Sequence, residues 1–237
     1  MRKGGFTLVE CLMGMALSLF IMSSGLELFG LAQKAFSRLK EREEASQAAL
    51  AAIDKMRIDL LHAGRGLAGE MGLGLVEAVR TADGELRTTA LERALTLAGE
   101  ARAGDIRLVL ESVSEAAAGQ AISLREGPAG EVRTIARVEP GALVLGEPLE
   151  NGYAPATAAV TLLESVTYFF EASRRVLRRR VNGGSAQPLL ENAAAASWLY
   201  DPQARIVRIR LEPDVEGAHP HEATVFLKNP ALAGIRQ

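Results

Sequence analysis

The sequence has almost no cysteine, and no proline in its first half. Its one cysteine, Cys11, lies inside an apolar stretch. A lone cysteine closes no internal disulfide, so the count neither demands nor excludes an oxidising compartment. Cys11 reads as a small apolar packing residue. All nine prolines fall at Pro128 or later, so residues 1–127 hold no strong helix breaker. Charge of one sign is not in excess either. The formal net charge is −2, and no global field points to nucleic acid or to an acidic substrate. Histidine is scarce, with three in the chain. Zinc needs three or four converging ligands, so His219-Pro220-His221 reads as a loop, and no metal or cofactor is expected. No Ser-His-Asp or Cys-His arrangement is readable, which argues against an enzyme. What the 237 residues do have is apolar content, 48%, enough for a core in one or two domains.

Much of it is concentrated at the start. From Cys11 to Leu26 there is no charged residue, and after Glu27 the apolar character resumes as LFGLA. Residues 6–32 would form a helix of about 40 Å, enough to cross a hydrocarbon core of about 30 Å. Arg2 and Lys3 predict that the N-terminus stays cytoplasmic and the remainder is exported. No small-x-small cleavage site follows, as a secretory signal peptide requires. Instead Phe36, Leu39, Ala49, Leu50, Ile53, Met56 and Leu60 continue at helical spacing. The opposite face carries Lys34, Arg38, Lys40, Glu41, Arg42, Glu43, Glu44, Asp54, Lys55 and Arg57, a solvated face of mixed sign. One helix is predicted from Phe6 to about Ala63, ending at the glycines of HAGRG and running roughly 85 Å. Its first half would sit in lipid, and its second half would lay an apolar face on a soluble domain. Gly25 and Gly30 are its only weak spots, and Glu27 reads as a charge at the membrane edge.

Beyond it, GRGLAGEMGLG holds a literal GxGxxG at Gly64, Gly66 and Gly69. A dinucleotide site needs that run between a strand and a helix. Here it follows a helix, so a flexible turn is expected. Residues 85–103 read as helical. Strands are expected near 105–113, 120–126, 131–139, 142–149, 159–172, 174–181, 197–201, 204–212 and 222–229, punctuated by GPAG, EPGA, NGG and EPDVEGAHP. Close spacing with turns predicts antiparallel hairpins, and hence an α+β fold with the helix lying across a sheet.

One residue resists a plain membrane reading. Glu10 places a carboxylate in the apolar segment, which costs about 3 kcal/mol unless it is paired. The stretch GGFTLVE, residues 4–10, resembles the class III signal of type IV pilins and type II secretion pseudopilins. The resemblance implies a pilin-like fold, with a prepilin peptidase cutting between Gly5 and Phe6 and methylating the new amine of Phe6. Glu10 becomes the fifth residue of the mature chain and pairs with the N-terminal ammonium of a neighbouring subunit during assembly. The physics is consistent: each charge is costly alone at membrane depth and much less so with a partner. The alternative is a glutamate that snorkels to the headgroups. The proline that loosens the helix in many major pilins is absent.

Later segments resemble the PilW-like minor pilins and GspJ-like minor pseudopilins: IDLLHAG at 58–64, where Leu61 stands in place of an arginine, then YFFEASRRVLRRRV, AQPLLENAAAASWLY and VFLKNPAL. Residues 70–155 carry no such resemblance. The implied organisation is a leader (1–5), a transmembrane half-helix (6–32), an amphipathic half-helix (33–64) and a β-rich periplasmic or extracellular domain (65–237). The implied partners are the prepilin peptidase, other major and minor pilins or pseudopilins, an inner-membrane assembly platform and the lipid bilayer. The implied place is the bacterial inner membrane before assembly and a surface filament after it. A minor pilin of a type IV pilus is the first expectation, and a minor pseudopilin of a type II secretion system the second. A signal-anchored periplasmic binding or adhesion domain is the third. Arg174, Arg175, Arg178, Arg179 and Arg180 could meet DNA phosphates in a DNA-uptake pilus. The simpler expectation is a strand whose arginines guard an edge or meet acidic neighbours.

Overall fold

The computed structural model describes residues 7–233; the leader 1–5, with Gly5, and Phe6 lie outside them. Helix α1 runs unbroken from Leu8 to His62, 55 residues or about 82 Å. No proline interrupts it. It closes where Gly64 and Gly66 take positive φ, +73° and +74°. At Gly66 a side chain is also excluded by space, because a Cβ there would stand 2.9 Å from Leu91 Cβ. Asn229 finishes the end by donating Nδ2 to the carbonyls of Leu61 (3.1 Å) and Ala63 (3.0 Å), which have no helical partner. The five-residue helix α2 (Ala68–Gly72) follows where a flexible turn was expected.

The rest is antiparallel sheet: β1 (Val79–Ala82), β2 (Glu85–Leu95), β3 (Arg107–Val109), β4 (Ala121–Glu126), β5 (Ala129–Glu139), β6 (Ala142–Leu145), β7 (Ala159–Glu171), β8 (Val176–Val181), β9 (Gln187–Leu190), β10 (Ala193–Asp201), β11 (Ile206–Pro213) and β12 (His221–Phe226), with a last helix α3 (Lys228–Ala233). The architecture is α+β, with a long N-terminal helix packed on antiparallel sheets. There are two sheets rather than one. β10-β11-β12 form the smaller, and the other nine strands form the larger.

The helix expected at 85–103 is a strand over its first part. Leu86, Thr88 and Ala90 are buried in alternation, and β2 pairs with β1 on one side and β7 on the other. Two strand partners outweigh the helical propensity of the ALERAL run. β1, β9 and the first half of β10 were not foreseen. Pro188 and the alanine run Ala193–Ala196 carry little strand signal of their own.

Two cores result. In the first, Ala49, Ala52, Ile53, Met56 and Leu60 of α1, with Ala63 just past its end, meet Leu86, Tyr168, Leu190, Val207, Ile209, Leu211 and Val225. The second lies between residues 95 and 162 and includes nothing from α1. There β7, β4, β5, β6 and β3 pair in order. A bridge between Leu97 and Leu110 joins the end of β3 back to the continuation of β2, with Ala98 N–H donating to Val109 O (2.9 Å). The strands thus close into a small barrel filled by Leu108, Ile122, Leu124, Ile135, Leu143 and Leu162. A bulge between Leu91 and Arg93 makes the transition. It slips β2 by one residue, so even-numbered residues face α1 before it and Leu95 faces the barrel after it.

Candidate functional site

Among the described residues, nothing packs on the first half of α1. Leu8, Val9, Leu12, Met13, Met15, Leu17, Leu19, Phe20, Ile21, Met22, Leu26, Leu28, Phe29 and Leu31 are between 59 and 80% exposed, on every side of the helix. The segment is long and apolar enough to cross a membrane. The space around Gly14, Gly25 and Gly30 is open.

At its start, Thr7 and Glu10 form a reciprocal cap. Thr7 N–H donates to Glu10 Oε2 at 2.9 Å, and the Thr7 hydroxyl donates to the same oxygen at 3.0 Å. Glu10 N–H donates to Thr7 Oγ1 at 3.3 Å. Glu10 therefore sits at the third helical position of a capping box. The T-x-x-E signal was present in the sequence and is a local use of this carboxylate that neither pairing nor snorkelling describes. The carboxylate stays exposed on the helix surface, beside Cys11, Gly14 and Ser18.

The second half is held by chemistry as well as packing. Asp59 is buried on the apolar stripe. It accepts hydrogen bonds from Tyr168 Oη, from Arg179 Nε at 2.7 Å and from Lys55 Nζ at 3.2 Å. Burial alone would push the Asp59 carboxyl up. The donors from Arg179, Tyr168 and Lys55 outweigh it and hold the group below its usual range. The Tyr168 hydroxyl is pushed up, first by burial and then by Asp59. The clamp ties α1 to β7 and β8. A sequence signal for it existed: a carboxylate one residue before Leu60, on the buried arc, requires a partner.

The five arginines do not act as one patch. Arg179 faces α1 and belongs to the clamp. Arg178 pairs with Glu171 at 2.6 Å and Arg174 with the same residue at 3.2 Å. Arg175 pairs with Asp214. Arg180 meets Glu85 at 3.4 Å and lies 5.4 Å from the centre of the Phe169 ring. Each guanidinium thus has a carboxylate of its own chain. His221 opens β12 and shares a 3.1 Å hydrogen bond with Ser46 of α1. His219 is in the preceding loop. The Gly64–Gly69 run follows α1 directly, so it lacks the preceding strand that a dinucleotide site needs.

The barrel has its own polar fastening. Glu131, on β5, accepts from the N–H groups of Glu150 (2.9 Å) and Asn151 (2.9 Å) and from Tyr153 Oη (2.9 Å), and pairs with Arg133 at 2.6 Å. Burial opposes ionisation, but these donors hold its carboxyl below the usual value.

No protein-family model and no curated protein matches the chain. Solved structures with partial likeness include three phage tailspikes. They are Gp54 of Acinetobacter baumannii bacteriophage AP22, in complex with A. baumannii capsular saccharide, gp49 of Pseudomonas phage LKA1 and gp61 of Pseudomonas phage phi297. Identities are 12–17% and TM-scores 0.26–0.28, over 31–32% of this chain and 14–15% of each of those chains. The chain spans a small fraction of their length, and likeness at that level bears on neither fold nor function.

Proposed function

We propose that this chain is a minor subunit of a type IV pilus, with a pilin-like fold. It is made as a precursor in the bacterial inner membrane. A prepilin peptidase cleaves it between Gly5 and Phe6 and methylates Phe6, and it enters a filament through the first half of α1. The observation that carries the reading is one unbroken helix whose apolar first half covers none of the other described residues, headed by GGFTLVE. In water such a surface would aggregate. It is at home in lipid and, after extraction, among the helices of other subunits. Head-to-tail packing of such helices builds open helical filaments. The soluble part, fixed to the second half, would meet other minor subunits to prime the filament or sit at its tip. A type II secretion pseudopilin would use the same parts.

The test is mass spectrometry of the N-terminal peptide, from sheared surface filaments and from inner membranes separately. N-methyl-Phe6 in filaments supports the pilus reading. The same peptide confined to membranes supports a pseudopilin or an assembly primer. An intact Met1 end in both overturns processing and leaves an anchored periplasmic protein. Glu10→Ala is expected to abolish incorporation while the soluble part stays folded, and normal incorporation would remove the assigned role of Glu10.

A further inference from the structure

We infer that Asn151 is a site of spontaneous deamidation, and that the reaction unfastens the barrel while leaving the helix core intact. The chain has two Asn-Gly pairs, Asn151-Gly152 and Asn182-Gly183. Asparagine is thermolabile, and a following glycine opens it to attack because no side chain crowds the backbone nitrogen. In both pairs the glycine N–H has no hydrogen-bond partner among the described residues. The asparagine side chains therefore decide which pair reacts. Asn182 and Gly183 are the central residues of a tight turn, at φ +50° and +73°, closed by Gly184 N–H on Val181 O at 2.8 Å. The Asn182 amide is fixed at both ends. Its Oδ1 accepts from Ser165 N–H at 2.8 Å, and its Nδ2 donates to Glu92 Oε2 at 3.2 Å. To reach Gly183 it must give up both bonds. The Asn151 amide is held at one end only, by a 3.3 Å bond from Nδ2 to Glu131 Oε1. Asn151 N–H and Tyr153 Oη donate to the same oxygen, each at 2.9 Å. Asn151 is half-buried and Gly152 is exposed.

The step balances with water as its only co-reactant. The Gly152 nitrogen attacks Asn151 Cγ. The new N–C bond closes a cyclic imide, the Cγ–Nδ2 bond breaks, and the glycine proton leaves with that nitrogen as ammonia. Water then opens the imide at either carbonyl. One opening gives aspartate. The other gives isoaspartate, with the chain rerouted through the side chain. Both products set a carboxylate beside Glu131, whose own carboxyl is held ionised by its donors. Neighbouring carboxylates repel. The isoaspartate route also adds a backbone atom between Asn151 N–H and Tyr153 Oη, two donors that converge on Glu131. Glu131 ties β5 to the segment leading into β7, and the barrel core there includes nothing from α1. The loosening is therefore confined to the barrel, and it accumulates with the age of the molecule because ammonia is lost.

None of this depends on filament assembly. The experiment incubates the full-length chain in detergent micelles at mildly alkaline pH, folded and in denaturant, and follows its tryptic peptides by mass spectrometry. Cleavage at Arg137 and Arg174 isolates Asn151, and cleavage at Arg180 and Arg205 isolates Asn182. In the folded chain residue 151 is expected to convert from amide to acid about fivefold faster than residue 182, the worth of one further hydrogen bond. In denaturant the two should react alike. Gly152→Ala should slow the reaction at residue 151. The fold tolerates it, because φ there is not left-handed and the added Cβ would meet only Ala101 O, at 3.6 Å. Asn151→Asp makes one product directly. It should speed hydrogen exchange about tenfold at the Ala101 and Tyr153 amides, which bond to each other's carbonyls at 3.0 and 2.7 Å. The unfolding transition seen by fluorescence of Trp198, the one tryptophan, should stay in place, because Trp198 packs on the first core. No reaction at residue 151 in the folded chain, equal or reversed rates there, no slowing in Gly152→Ala, unchanged exchange in Asn151→Asp, or a Trp198 transition lowered with it would each overturn the proposal.

Discussion

The two halves of α1 have the same backbone and opposite surroundings. From Leu8 to Leu31 the apolar side chains point in all directions and none is buried. From Ala49 to Leu60 one stripe, made of Ala49, Ala52, Ile53, Met56 and Leu60, is buried, while Leu50 and Ile58 face outward at 48% exposure. Hydrogen bonding along the helix is continuous through both. The difference therefore lies in what each half is to be dissolved in: lipid or other subunits for the first, its own domain for the second. The largest stability effect should follow that division. Leu60→Ala is expected to destabilise the soluble part by about 4 kcal/mol, because a fully buried leucine leaves a cavity. Leu12→Ala should leave denaturant unfolding of the full chain in micelles unchanged. Equal effects would show that the first half also packs on the domain, and the contrast would collapse.

A second contrast is between the two carboxylates of the helix, Glu10 and Asp59. Glu10 caps its own helix and is exposed. Asp59 is buried and joined to three donors. Asp59→Ala is expected to cost about 3 kcal/mol, since it strands Arg179 and the Tyr168 hydroxyl. The folded-state pKa of Asp59 lies below its unfolded value. Its contribution is therefore complete above the ordinary carboxylate range near about 4, and is lost as pH falls through the lower folded value. Acid titration of stability should be less steep in Asp59→Asn. An unchanged slope would move the acid sensitivity to Glu131, which is held low in the same direction. Tyr168→Phe removes one of the three donors and should cost about 1 kcal/mol.

These contrasts also separate what the sequence makes legible from what it does not. The helix was readable because its period and its lack of proline are local. Ala49, Ile53, Met56 and Leu60 of the buried stripe were readable for the same reason, and so were the strands that alternate, such as Ile206–Pro213; Phe36, Leu39 and Leu50 share that spacing but are 48–68% exposed, because a helical period gives a face and not how far the domain reaches along it. The barrel was not, because its closure joins Leu97 to Leu110 and β4 to β7 across long stretches of chain, and no local pattern records such pairings. β2 looked helical for a related reason: its partner β7 begins at Ala159. The arginine run was legible in its simpler reading, arginines that meet acidic neighbours, but the sequence does not say which carboxylate each one meets. Read as a composition it is a patch. Read with a period of two it splits, with Arg179 turned to Asp59 and Arg178 and Arg180 turned outward. Asn229, which caps α1 from the far end of the chain, had no local signal.

The smallest expected effect tests whether charge on the helix matters where burial is absent. Lys40 and Glu44 are one turn apart and 3.8 Å from each other, with both side chains about two-thirds exposed. Lys55 and Asp59 have the same spacing at 3.2 Å, but Asp59 is buried. Water screens the first pair and offsets most of its attraction, so a double-mutant cycle over Lys40→Ala and Glu44→Ala should give about 0.3 kcal/mol. The cycle over Lys55 and Asp59 should give more, because the carboxylate end of that pair is shielded and already ordered by Tyr168 and Arg179. Raising the salt concentration should erase the first coupling and leave most of the second. Equal couplings, or equal salt sensitivity, would mean that the clamp is no better insulated than an exposed turn of α1, and that packing alone holds the second half to its domain.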